Sequence, residues 1–174
     1  MSDKQEERNY GLEMKKGLFG RPLGAMTFNL SAIFVVAVVL NFGWEVGQAF
    51  LYIGMNYDLA MIAHCMWASF GDGLILWVIY LIGLCFFRNL HWFVHPSASQ
   101  YVVMLIAGLT ISILVEWIGV DVLKRWAYTD RMPIIPILNI GLLPVLQMTL
   151  LPPIIFALVA ALNACIKREP DRSG

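Results

Sequence analysis

Residues 28–52 read FNLSAIFVVAVVLNFGWEVGQAFLY, with Glu45 as the only charged side chain in the stretch. A helix needs about 20 mostly apolar residues to cross the roughly 30 Å hydrocarbon layer of a bilayer. This stretch is long enough, and it decides the fold class. Three further runs repeat the pattern, at about 59–87, 101–119 and 141–166. The expected architecture is an all-α integral membrane protein, a four-transmembrane-helix bundle. A short amphipathic or re-entrant segment is expected before the last helix. The division is then a tail or amphipathic segment at 1–27, a transmembrane domain at 28–166 and a C-terminal tail at 167–174.

Composition agrees with the spans. Of 174 residues, 59% are hydrophobic and 14% charged, and the mean hydropathy is +0.71. Soluble domains carry about 25% charged residues, and a water-soluble fold of this size could not hide so much apolar surface. Net charge is zero, which gives no basic field for nucleic acid. The opening MSDKQEERNYGLEMKK is mixed in charge, and the first apolar run has no small-residue cleavage site after it. It reads as a retained first span. Cys65, Cys85 and Cys165 lie within apolar runs and form no C-x-x-C pair, which disfavours a thiol oxidoreductase.

Lysine and arginine set the expected orientation. The N-terminal tail has five, the second loop one and the C-terminal tail three. The third loop has Lys124, Arg125 and Arg131, and the first has none. The positive-inside rule then places both termini in the cytoplasm, in a cell (inner) membrane. The uneven count also disfavours a dual-topology dimer. Trp92, Trp126 and Tyr128 read as interfacial anchors, and His91 and His95 as solvated loop residues. The stretch 121–144, DVLKRWAYTDRMPIIPILNIGLLP, contains Pro133 and Pro136, which break a helix and suggest a surface-lying or re-entrant segment. Pro144, Pro152 and Pro153 follow in the fourth span, where membrane helices tolerate them.

Function is sought in the polar residues of the spans, because charged groups in hydrocarbon cost about 2.5–3.5 kcal/mol each on insertion scales. Asn41, Glu45 and Gln48 share one face of the first helix at i, i+4, i+7. Gly43 and Gly47 form a G-x-x-x-G on the opposite face, suited to a homo-oligomer or a larger membrane complex. The second span offers His64 and Asp72, the third Glu116 and the fourth Gln147. Counting the rise per residue puts Glu45, His64, Glu116 and Gln147 in one layer of the outer half, with Asp72 about a dozen ångströms deeper.

Two carboxyls sharing a low-dielectric space hold protons unequally, so one can act as acid while the other acts as base. Glu45, Glu116 and Asp72 are the candidate acid–base groups, with His64 as relay. Trp44 and Trp117 are placed to stabilise a carbocation, and Asn41, Gln48, Arg125 and Gln147 complete the substrate-binding candidates. The set suits isomerisation or cyclisation of an isoprenoid or sterol-like small molecule held among membrane lipid. No cofactor is required. A weaker alternative places one metal ion at Glu45, His64 and Glu116. Three other expectations stay open: a proton-coupled transporter or ligand-binding membrane protein, a non-catalytic subunit, and hydrogen bonds that only hold the bundle together. For the charged third loop, an interfacial helix end with surface ion pairs is favoured over a lid whose Arg125 or Arg131 holds a headgroup phosphate or carboxylate.

Overall fold

The computed structural model describes the backbone of residues 3–168 and the side chains of residues 24–165. The tail lysines and arginines that set the expected orientation lie outside the described side chains. Four helices run in order: α1 (Asp3–Gln48), α2 (Leu59–Phe87), α3 (Ala98–Trp117) and α4 (Leu142–Arg168). Each contains a segment long and apolar enough to cross a membrane, which makes the chain a multi-pass membrane protein. α1 packs on α2 and α4, α3 packs on α4, and α2 meets α3 least of these four pairs.

Local chemistry starts and stops the helices. Asp58 caps α2 by accepting from the Met61 N–H at 2.8 Å. Arg88 ends α2 in the left-handed region, at φ 49°. Ser97 and Gln100 form a capping box on α3. α3 then continues as a π turn over Ile118–Val122, so the sequence boundary near residue 119 falls one turn short. Single π turns are rare and often sit at functional sites.

The proline-rich segment before α4 is a two-stranded antiparallel hairpin, β1 (Ile134–Ile135) with β2 (Ile140–Gly141). Pro133 and Pro136 exclude a helix there, and Asn139 takes the positive φ of 53° that the turn requires.

Trp92 is a correction. It is 1% exposed and packs on Phe87, Phe93 and Phe156. Its indole lies against Gly83, where any side chain would collide with the ring. Its N–H donates to the Tyr80 carbonyl at 3.2 Å. The loop folds inward because Gly83 leaves a slot for it, so Trp92 is a core residue and not an interfacial anchor. His91 and His95 are exposed. A β-carbon at Gly43 or Gly47 would meet nothing within 4 Å, so among the described residues no helix covers the G-x-x-x-G face.

Gly108 lets α3 approach the backbone of α4 closely. Its α-carbon faces the Met148 carbonyl of α4 so tightly that a β-carbon has no room. Gly108, Ser112, Glu116 and Gly119 are all buried along one face, as their spacing predicts.

Candidate active site

The end of α1, the start of α2, the end of α3 and the start of α4 meet at one end of the bundle. The connecting segments close over that end. Ile53 N–H donates to the Ala127 carbonyl at 2.9 Å and Thr129 N–H to the Leu51 carbonyl at 2.8 Å. These bonds pair Tyr52 with Tyr128 as an isolated antiparallel bridge, and the two rings meet at a tilt of 51° with centroids 5.6 Å apart.

Beneath this cover lies a cavity of about 610 Å³, lined by Glu45 of α1, His64 and Asp72 of α2, Glu116 of α3 and Gln147 of α4. Five residues named from sequence thus reach one space from four helices. Arg125 joins them from the segment after α3. The exposed members of the lining are His64, Trp67 and Gly71 on α2, Val115 on α3, and Arg125. They sit on α2, on α3 and on the segment after α3, and α2 and α3 are the pair that packs least. Trp67 is 75% exposed.

A buried amide chain ties three helices together behind the cavity. Trp44 Nε1 donates to Gln48 Oε1 at 3.2 Å. Gln48 Nε2 donates to Glu45 Oε1 at 3.0 Å and to Gln147 Oε1 at 2.9 Å. Gln147 Nε2 donates to Asn41 Oδ1 at 2.8 Å and to Asp72 Oδ2 at 3.1 Å. Asn41 Nδ2 donates to the Ala37 carbonyl at 2.9 Å. Asn41, Gln48 and Gln147 are 0%, 3% and 1% exposed. Buried amides are tolerated only when their hydrogen bonds are made, and no buried side-chain polar atom among the described residues lacks a partner.

This network corrects the depth expected for Asp72. It shares a level with Gln147 and does not lie a dozen ångströms deeper. The earlier depths assumed helix ends that are level. Asp72 is thirteen residues into α2, whereas Gln147 is five into α4. α2 therefore projects about 12 Å further at this end, at 1.5 Å per residue. That overhang also lifts His64 to the exposed rim.

Glu116, 6% exposed, is held differently. Tyr128 OH donates to its Oε2, and Trp126 Nε1 donates to the same oxygen at 3.4 Å. Trp126 and Tyr128 are two apart in extended chain, so both side chains fall on one face. The π turn brings that strand back, and Gly119 makes room for the Trp126 ring. The Tyr128 hydroxyl is pushed above its usual range, first by burial and then by its bond to Glu116. Tyr52 is raised by burial and by the charges of Glu116 and Glu45. Both phenols therefore keep their protons, and Tyr128 remains a donor. The third loop is thus a cover on the cavity, in place of the exposed helix end expected from its charges.

Two carbocation candidates fall elsewhere. Trp117 is 49% exposed and absent from the cavity lining. It follows Glu116 in sequence, so on a helix it points about 100° away. Trp44 stands behind the cavity as the donor to Gln48. The aromatic rings that do line the cavity are Tyr52, Trp67 and Trp126. Tyr52 and Tyr128 were not read as site residues; the W-A-Y spacing at 126–128 was the available signal for Tyr128. Among the described residues, no three His, Cys, Asp or Glu side chains gather closely enough to hold a metal ion.

A second cavity, of about 570 Å³, lies at the other end of the bundle between α3, α4 and the second loop. Apart from His95 and Tyr101 its lining is apolar, and it has no carboxyl group. Comparison with protein-family models, with curated proteins and with solved structures finds no match for this chain.

Proposed function

We propose that the protein is a small integral membrane enzyme that moves protons on a lipid-soluble substrate. The observation that carries this reading is one cavity lined by Glu45, Asp72 and Glu116, whose lining also includes exposed residues of α2 and α3, the helix pair that packs least. The proposed entry is between those two helices from the bilayer, where an isoprenoid or sterol-like molecule dissolves. The volume is within the roughly 300–1,000 Å³ range of small-molecule sites. The three carboxyls meet neutral donors, namely Gln48, Gln147, Trp126 and Tyr128. Neutral partners leave a carboxyl able to give or take a proton, where a fixed cation would lock it ionised.

The reaction class is addition of a proton at one carbon and removal at another, as in double-bond isomerisation or cyclisation. The two acid groupings supply acid and base. Tyr52, Trp67 and Trp126 offer π faces to the positive charge that forms in between. Arg125 and His64, both exposed at the rim, suit a polar end of the substrate. The proposed setting is a cell membrane with both termini in the cytoplasm, on the lysine and arginine counts. The cavity then lies in the outer half.

Proton chemistry at carbon leaves an isotopic trace. Membranes containing the protein, incubated in D₂O with isoprenoid or sterol lipids, are expected to gain carbon-bound deuterium in one lipid species. Membranes with Glu45→Gln are expected to gain none above background. Equal incorporation in both, or in neither, contradicts the proposal.

A further inference from the structure

We infer that Gln147 and Gln48 are positioning residues that join Asp72 to Glu45 and fix which oxygen of each carboxyl carries its proton. Which end of an amide is oxygen and which nitrogen is assigned from the hydrogen bonds its partners allow. Here both ends of the chain are fixed. The Trp44 indole N–H can only donate, so the group it meets on Gln48 is the oxygen. That leaves the Gln48 nitrogen for Glu45 and Gln147. At the far end the Ala37 carbonyl can only accept, so Asn41 turns its nitrogen there and its oxygen toward Gln147. Gln147, between them, has one possible orientation. Both of its amide hydrogens are then used, one on Asn41 and one on Asp72.

The consequence concerns the acids. Glu45 receives an N–H at Oε1, and Asp72 receives one at Oδ2. In a protonated carboxyl the carbonyl oxygen is the better acceptor of an N–H, so a proton on Glu45 sits on Oε2 and a proton on Asp72 on Oδ1. Other titratable or charged groups lining the cavity are His64 and Cys65 on α2, Glu116 on α3, and Tyr52 and Arg125 on the connecting segments. From α4 come Pro144, Gln147 and Met148, none of them titratable. None of the other titratable or charged groups bonds to either glutamine, so the amide chain acts on Glu45 and Asp72 and leaves Glu116 to Tyr128 and Trp126. The cavity thus has two separately held acid groupings. This deepens the acid–base reading proposed above and rests on it for its catalytic meaning.

Infrared spectroscopy of the purified full chain at acid pH tests the inference without a substrate. Protonated carboxyl bands are assigned by their loss in Asp72→Asn, Glu45→Gln and Glu116→Gln. In Gln147→Leu the Asp72 band is expected to move to higher frequency, because its carbonyl oxygen loses an N–H donor, while the Glu116 band stays in place. In Gln48→Leu the Glu45 band is expected to move to higher frequency for the same reason, again with the Glu116 band in place. An unmoved Asp72 band in the first variant, an unmoved Glu45 band in the second, or equal movement of all three bands overturns the inference. If Gln147→Leu does not fold, Gln48→Leu decides alone. The expected band changes, found together with full deuterium exchange in Glu45→Gln, would retire the enzyme reading and leave the positioning role intact.

Discussion

Glu116→Gln is expected to cut deuterium incorporation into the membrane substrate by about 10²–10⁴-fold, the usual contribution of a general acid or base. The substitution is nearly isosteric. A glutamine oxygen still accepts from Tyr128 and Trp126, which are the bonds that hold Glu116 in place. The cover over the cavity therefore stays closed, and the thermal midpoint in detergent is expected to remain near that of the unsubstituted chain. What is lost is the ability to take and return a proton. A large loss of exchange with little loss of stability separates a chemical role from a structural one. The opposite pattern, full exchange with a lowered midpoint, assigns Glu116 to bundle cohesion.

Gly108→Ala carries the largest expected effect on stability. The added methyl would overlap the Met148 carbonyl of α4, and a backbone atom within a helix cannot swing aside. α3 and α4 must separate. Overpacking of this kind typically costs 1–3 kcal/mol, and about 3 kcal/mol is expected because the obstacle is main chain. Gln147 adjoins Met148, so the same displacement pulls it away from Asn41 and Asp72. Buried polar groups left without partners add about 1–3 kcal/mol each. Unfolding by SDS titration in mixed micelles measures this. Gly43→Ala and Gly47→Ala are the controls, since a β-carbon there meets nothing within 4 Å. They are expected to stay within about 0.5 kcal/mol of the parent.

The membrane fold was legible in the sequence because bilayer thickness alone sets the length of each apolar run. The faces of the polar residues were legible too. Asn41, Glu45 and Gln48 fall together by helical period, and they do form one hydrogen-bonded group with Gln147. Relative depth was not. It depends on how far one helix overhangs the next, which is a property of packing between distant segments. That is why Asp72 was expected too deep. Trp92 shows a related failure. A tryptophan in a loop carries the same local signal whether it meets lipid headgroups or the slot left by Gly83 and Phe156. The cover formed by Tyr52, Trp126 and Tyr128 needed the π turn at Ile118–Val122, which leaves no composition signal. Trp117 was favoured for its position next to Glu116, but adjacency on a helix places two side chains on different faces.

In the proposed function Glu45, Asp72 and Glu116 open onto a single space reached from the lipid. Labelling with a lipid-soluble carbodiimide, which attacks protonated carboxyls in apolar surroundings, tests this directly when the products are mapped by mass spectrometry. At most one adduct per chain is expected, distributed among these three residues, with a water-soluble carbodiimide failing to label them. Chains bearing two or three adducts at once, or equal labelling by the water-soluble reagent, would contradict it.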